Sequence, residues 1–418
     1  MQSSFPGFDA TPQKVFWIPV QIGSCILISR LSPKKVSNPI EVLLVFNIVF
    51  LVIPVIATSF SNEMYTLGRV EILSVVLVLF NQLILSFLYS VFNNGIFKIK
   101  EISFEPNYLV RALICLTLIL LFFFIYKIGL HSSSMSFTSV YVNRENLKER
   151  LIIENTWALN YAVGWLNGLL IPLIIGLSIS LKRYLAFTFT CVLAILIYSQ
   201  TFNKYVIASI FFVLLLNVIF QSKPIKNLNA TRIYVGFTWF IYVGAILRTI
   251  TSNFDIGDFA IRRVLLDPSI MFQHYVRFSL EYDLNWWQDS RIFRSSPDSI
   301  AVSNVVGERY FNIPEYLFLK PFPKMNATAG AAADGIAQGG VIGLMAVSVA
   351  IFFFFLVLNS LSFGKNRKIV LLCSAIAAHV VMEGTLHTSM FSKGLIILPV
   401  LLYLLPKEQY SLAKDSRK

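Results

Sequence analysis

Charge is the scarcest property of this chain. Asp, Glu, Lys and Arg together make up 14% of its 418 residues, against about 25% in a water-soluble protein. The length has room for two or three ordinary domains, but so little charge excludes a soluble array of them. Cysteine is scarce too. Cys25, Cys115, Cys191 and Cys373 are the only four, and all fall inside apolar runs without pairing or metal-ligand spacing. That excludes a disulfide-stapled module and leaves them as small packing residues. The first fourteen residues are polar and no apolar run with a small-residue cleavage site follows them, so no cleavable signal peptide is expected. Low-complexity disorder and a coiled coil are excluded by the abundance of apolar side chains.

What the chain does have is apolar surface: 56% hydrophobic residues, 37 of them Phe, and a mean hydropathy of +0.69. These residues fall in runs of roughly 18 to 25, the length that crosses a hydrocarbon core of about 30 Å. The pattern predicts an all-α polytopic helical membrane bundle with about eleven spans, near 15–29, 39–59, 70–94, 108–130, 155–180, 184–199, 205–220, 233–250, 334–361, 369–388 and 391–406. The first is short and holds Pro19 and Gln21; if it lies in the interface there are ten.

A net charge of +13 first suggests nucleic acid, but its distribution points elsewhere. Arg30, Lys34, Lys35, Lys98, Lys100, Arg111, Lys182, Arg183, Lys223, Lys226, Arg232, Lys365, Arg367, Lys368, Lys407, Lys414, Arg417 and Lys418 all fall on alternate connections or the tail. That face holds 18 of the 35 Lys and Arg against five acids, a surplus equal to the whole net charge of +13. The positive-inside rule makes the face cytoplasmic, with the C-terminus on it. Nucleic acid is not implied.

Three parts follow: an N-terminal membrane bundle over 1–250, a large extracytoplasmic loop over 251–333, and a C-terminal bundle with a basic tail over 334–418. The loop is far longer than most connections and rich in aromatics, among them Tyr275, Tyr282, Trp286, Trp287 and Tyr310. It reads as a packed subdomain. A second, shorter outer loop covers about 131–154. Asp267-Pro268 predicts a helix start, and a helix running to about Tyr282 puts His274, Arg277 and Glu281 on one face. Arg262 and Arg263, an adjacent pair in an aliphatic frame, have two readings: an anion site, since guanidinium forks match phosphate oxygens, or snorkelling and pairing with nearby acids.

At the end of the loop, Ala331, Gly335, Gly339 and Gly343 form a small-residue stripe that lets another helix approach closely. Asp334 lies in the first turn of the helix that follows, where a carboxylate favours the amide end. Within the tenth span, His379, Glu383 and His387 are spaced as a single polar stripe near the outer end. Ionisable residues in a span are costly and point to function. The stripe reads as the wall of an extracytoplasmic cavity, ahead of a proton relay and of a metal site, for which the spacing is wrong. Asn81, Gln82, Asn160 and Asn167 read as interhelical hydrogen-bonding residues, and Arg248 as a snorkelling cation or part of the anion site.

The sequence Ile261-Arg262-Arg263-Val264, the following Pro268, Tyr275, the segment from Asn326 to Gly343 with Asp334-Gly335, and a closing pair of spans together resemble the Wzy-type oligosaccharide repeat-unit (O-antigen) polymerases. The resemblance is strongest over 258–400, while the first 250 residues match in hydropathy alone. Val264-Leu265-Leu266-Asp267 stands where members often have aromatics. The resemblance implies a GT-C-like glycosyltransferase of the bacterial inner membrane. It would transfer undecaprenyl-diphosphate-linked glycan en bloc onto a new lipid-linked repeat unit at the periplasmic face. Its partners would be membrane lipids, a polysaccharide co-polymerase that regulates chain length, and a flippase. No cofactor and no metal are implied. Departure of a lipid diphosphate needs cations, which would be Arg262 and Arg263 first, then Arg277 and Arg294. The acceptor hydroxyl needs a base, for which Glu281, His274 and Asp334 are candidates. Tyr275, Asn326, Arg248, Glu383 and His387 would contact substrate. Three rivals are an O-antigen ligase, a proton-coupled transporter using the His379 stripe, and a sensor or scaffold.

Overall fold

The computed structural model describes residues 18–59, 68–92, 104–130, 147, 157–220, 267–284, 286–288, 302–310 and 329–407. These residues are helical, with no strand among them beyond an isolated antiparallel bridge between Lys365 and Lys407. In chain order they form α1 (Ile18–Leu31), α2 (Pro39–Asn47, continued through a π turn at Ile48–Val52 into Ile53–Thr58), α3 (Gly68–Phe92) and α4 (Pro106–Ile128). Then come α5 (Trp157–Trp165, continued through a π turn at Leu166–Leu170 into Ile171–Ser180), α6 (Tyr184–Thr201), α7 (Lys204–Phe220), α8 (Asp267–Glu281) and α9 (Val302–Tyr310). The chain closes with α10 (Ala331–Leu361), α11 (Arg367–Glu383), a π turn at Thr388–Ser392 and α12 (Ile397–Leu404). Six stretches are long and apolar enough to cross a membrane: Pro39–Ile56, Arg69–Phe92, Pro106–Ile128, Ala158–Ser180, Tyr184–Thr201 and Ala331–Leu361. Tyr205–Phe220 is apolar but shorter, and the expected span 233–250 lies outside the described residues. The protein is a helical membrane protein.

Helix α2 is the axis of the bundle. Of its apolar span, 94% is buried, against 33% for α4, whose Ile119, Phe122 and Tyr126 face outward. It packs on α11, α10, α3 and α8. Its start is built from short-range chemistry: Asn38 Oδ1 accepts from the Glu41 amide at 2.9 Å, the Glu41 carboxylate accepts from the Asn38 amide at 3.2 Å, and Pro39 occupies the first turn. This is a complete capping box. Both π turns in the first half of the chain have one cause. Pro54 and Pro172 each follow two residues after the turn. A proline has no amide to donate to the residue four before it and its ring crowds that carbonyl, so the helix widens by one residue just ahead of it.

The basic connections converge at one end of the bundle. An Arg367 Nη donates to the Val36 carbonyl at 3.2 Å, the Phe104 amide to Leu404 at 2.9 Å, and Lys182 lies within electrostatic range of Lys368. Lys365 is buried there, and its ammonium donates to the carbonyls of Leu402 and Leu405, closing the C-terminus of α12. A cation at that position also suits the negative end of the helix dipole.

Two expectations are corrected. The segment 334–361 is not one straight span. Gly339 (φ −140°, ψ 19°) and Gly340 (φ +58°, ψ −141°) break α10, and only glycine adopts the latter conformation without strain. The arm before the break folds back on the arm after it: a methyl added at Gly335 would stand 2.7 Å from the Gly343 carbonyl oxygen, and one at Gly343 would collide with the Gly335 carbonyl. A straight helix would hold these residues roughly 12 Å apart at about 1.5 Å per residue. The glycine stripe therefore serves the approach of the segment to itself. The second correction concerns His387. Helix α11 stops at Glu383 with Gly384 extended (φ −142°, ψ 159°), so His387 is not on the helical face of His379 and Glu383.

Candidate functional site

The short arm of α10, residues 331–338, is held at both ends. At its tip, the Trp286 amide donates to the Gln338 carbonyl at 2.8 Å and the Trp287 amide to Gln338 Oε1 at 2.8 Å. Trp287 Nε1 donates to Asp334 Oδ2 at 3.2 Å, and a methyl at Gly339 would touch the Trp286 ring at 3.3 Å. Both tryptophans have positive φ, 46° and 59°, a conformation that side chains other than glycine rarely adopt. The two rings thus cover the break.

At its start, Gly330 caps the arm against the end of α11, where a methyl would collide with the Met382 carbonyl oxygen. Residues 330–333 line a small cavity with Asn47, Asn81, Ile351 and Met382. It holds about 10 Å³, room for about one water. Behind it lies a polar ladder between spans. Asn81 Nδ2 donates to Asn47 Oδ1 at 3.0 Å, Asn47 Nδ2 to Gln82 Oε1 at 2.7 Å, and Ser348 Oγ to Asn81 Oδ1 at 2.6 Å. The interhelical role expected of Asn81 and Gln82 is borne out. Asn167, likewise, accepts from Thr201 Oγ1 at 3.2 Å.

One residue beyond Met382 stands a charged cluster. His379 Nε2 lies 3.3 Å from Glu383 Oε1, and Lys393 Nζ lies 3.6 Å from Glu383 Oε2. The Glu383 and Lys393 side chains are 29% and 23% exposed, so both reach open space, while His379 is buried at 6%. The imidazole sits among Phe212, Phe50 and Tyr205, at ring distances of 4.6, 5.5 and 5.6 Å. Lys393 arrives there because the end of the π turn packs onto α5: the Trp165 indole donates to the Phe391 carbonyl at 2.6 Å, and Gly164 leaves room for the Ser392 carbonyl. His387 sits beside this cluster's loop, its Nδ1 3.3 Å from the Thr385 hydroxyl. Counting about 1.5 Å per residue from the basic start of α11 puts Glu383 roughly 24 Å along the helix, toward the opposite end of the bundle.

Helix α8 carries the other expected residues. Arg277 Nε pairs with Glu281 Oε1 at 2.5 Å, both partly exposed. His274 is held well below its ordinary value, to about 4, first by burial and then by the Arg277 charge. Tyr275 is fully buried and packs the core with Phe272 and Val276, so it lines no open surface. Gln273 Nε2 ties the helix to the end of α2 through the Thr58 hydroxyl at 2.8 Å. Asp334, 3% exposed, is enclosed beneath Trp287. Arg248, Arg262, Arg263, Arg294 and Asn326 lie outside the described residues.

Two of these features escaped the sequence. Lys393 stands ten residues beyond Glu383 and was expected in the following span, 391–406, so no helical periodicity links the two. The break at Gly339-Gly340 was visible as a paired glycine inside an apolar run, a recognised breaker signal, but was masked by the glycine spacing around it. Among the described residues no group of His, Cys, Asp or Glu is arranged to hold a metal ion. Cys373 is buried, and Cys115 and Cys191 lie toward the outside of the bundle, all as free thiols. No family model matches the chain, and neither a curated protein nor a solved structure shows significant similarity to it.

Proposed function

We propose that this protein is a polysaccharide polymerase of the repeat-unit type. It transfers undecaprenyl-diphosphate-linked glycan en bloc onto a new lipid-linked unit at the periplasmic face of a bacterial inner membrane, with its C-terminus cytoplasmic. The observation that carries the proposal is a convergence. The segment that supplies the resemblance, Asn326 to Gly343, ends in the folded-back arm, and the Gly330 cap of that arm touches Met382, next to the His379–Glu383–Lys393 cluster. A carboxylate, an ammonium and an imidazole near one end of a membrane bundle suit a reaction between a lipid-anchored diphosphate and a sugar hydroxyl. The anion needs cationic neighbours, and the hydroxyl needs a proton acceptor within reach. Arg262 and Arg263 supply the first need in this scheme, and a chain-length regulator and a flippase are its partners.

Deletion of the gene, with surface polysaccharide and lipid-linked intermediates analysed together, tests the proposal. A polymerase gives loss of the ladder with a single capped repeat unit retained. Long chains accumulating on the carrier with no capping identify a ligase instead. In the complemented strain, Arg262→Ala and Arg263→Ala abolish the ladder while the protein remains inserted and folded; full activity in both removes the anion-site assignment.

A second reading is favoured by one specific feature. Broken helices near titratable groups are also how transporters build sites in a membrane, and α10 is broken at Gly339-Gly340, with the far end of its short arm against Met382 beside such a cluster. An unchanged ladder on deletion, with loss of proton-coupled uptake or export of a solute, selects it.

A further inference from the structure

We infer that Glu383 is the catalytic base of this site, taking the proton from the acceptor sugar's hydroxyl; the inference rests on the polymerase reading above. The three carboxyl and imidazole candidates legible in sequence are each poorly placed for that task. Glu281 is engaged by Arg277 at 2.5 Å, Asp334 is enclosed beneath the Trp287 indole, and His274 is buried beside the Arg277 guanidinium. Glu383 shares two features with Glu281, partial exposure and the last position of its helix, so a hydroxyl can reach it. What sets it apart is that its two oxygens face two different partners at longer range, Oε1 facing His379 Nε2 at 3.3 Å and Oε2 facing Lys393 Nζ at 3.6 Å, so neither is taken up by a close ion pair.

The partners have distinct roles. His379 is a positioning residue. Its ring is fixed by Phe212, Phe50 and Tyr205, so a proton on Nε2 points at Glu383 and holds the carboxylate in one rotamer. Lys393 faces the second oxygen and presents an ammonium beside it. A carboxylate next to an ammonium is also a hydrogen-bonding match for two neighbouring sugar hydroxyls, one donating and one accepting. In the step, the acceptor hydroxyl proton passes to a Glu383 oxygen as the hydroxyl oxygen bonds to the donor's anomeric carbon. The bond from that carbon to the diphosphate breaks, and its electron pair leaves with the lipid diphosphate. Glu383 then returns the proton to water.

Among the described residues, the charged and titratable groups facing Glu383 are His379 on its own helix, Lys393 after the π turn and Tyr205 on α7. The test uses full-length protein in proteoliposomes, with lipid-linked repeat units extracted from cells lacking this gene. In wild type the polymerisation rate falls toward acid as the base takes up its proton. Glu383→Gln is expected to lose about 10²–10⁴-fold in rate, the usual worth of general base catalysis, and to lose that acid limb while still binding the lipid-linked donor. Glu383→Asp, which keeps the carboxylate, is expected to recover part of the rate together with the acid limb. Retained donor binding shows that the Gln variant is folded; if it is not, the Asp variant carries the test. An active wild type with Glu383→Gln within threefold of it, or an Asp variant without an acid limb, overturns the base assignment alone. A wild type that extends no chains from these substrates overturns the polymerase reading beneath it.

Discussion

The contact between Gly335 and Gly343 makes the fold of α10 open to a decisive perturbation. In Gly343→Ala the new methyl meets the Gly335 carbonyl oxygen, which is backbone and cannot rotate away. A normal contact needs the two arms to move apart by roughly 1 Å. That movement strains the turn at Gly339-Gly340 and the hydrogen bonds from Trp286 and Trp287 to Gln338. Overpacking of this kind costs about 1–3 kcal/mol, partly offset by the roughly 1 kcal/mol by which Ala surpasses Gly within a helix. The net loss is roughly 0–2 kcal/mol, a fall of up to a few degrees in melting temperature. Gly23→Ala in α1 is the control, because nothing lies within 4 Å of its new methyl; it should gain roughly 0.5–1 kcal/mol. Thermal melts of the two variants in one detergent compare identical chemistry at two geometries. If Gly343→Ala gains as much as Gly23→Ala, the two arms are not in contact and α10 does not fold back on itself.

Other perturbations probe the remaining contacts. His274 has a folded pKa of about 4 against an ordinary 6.5. The unfolded chain therefore binds the extra proton first, and stability falls by about 3 kcal/mol in all as pH drops from 6.5 to 4; His274→Gln should flatten melts across that window. Asn81→Leu removes the bridge between Asn47 and Ser348 and should cost about 1 kcal/mol, in the range measured for hydrogen bonds between membrane helices. A double-mutant cycle with Asn47→Leu should show coupling of at least about 0.5 kcal/mol, and additive losses would place the two residues apart. Gly164→Ala sets a methyl against the Ser392 backbone carbonyl and should lower the melting temperature, whereas Gly176→Ala meets only the movable end of Leu372 and should be much milder.

The bundle was legible because its physics is one-dimensional. A backbone in hydrocarbon must satisfy its own hydrogen bonds, so apolar length alone announces a helix, and α2 through α7 lie close to where hydropathy places them. The basic face was legible for the same reason, since Lys365, Arg367 and Lys182 belong to connections whose order along the chain fixes their side. Departures came where a local residue overrules a run. Pro54 and Pro172 each widen a helix that hydropathy reads as uniform, and Gly339-Gly340 turns one apolar run into two arms. Spacing was misleading at His387, because the rule that joins residues four apart holds only while the helix continues, and α11 stops at Glu383.

In the proposed site, such departures are what bring the charged groups together. A continuous helix at 331–361 would carry its first turn away along its axis and offer no cap against Met382. A continuous helix through 383–388 would carry the chain past Glu383 and keep Lys393 on another line. Each break converts sequence distance into contact: Gly340 lets Gly335 meet Gly343, and the extended Gly384 with the π turn at Thr388–Ser392 brings Lys393 back to within 3.6 Å of Glu383. In a membrane such breaks are tolerated only where other parts of the protein satisfy the freed backbone groups. Here the Trp286 amide supplies the Gln338 carbonyl and the Trp165 indole supplies the Phe391 carbonyl. The Trp286 backbone and the Trp165 indole are therefore as much a part of the site as the charges beside them, and removing the Trp165 indole should disturb the geometry around Glu383 before it disturbs the surrounding spans.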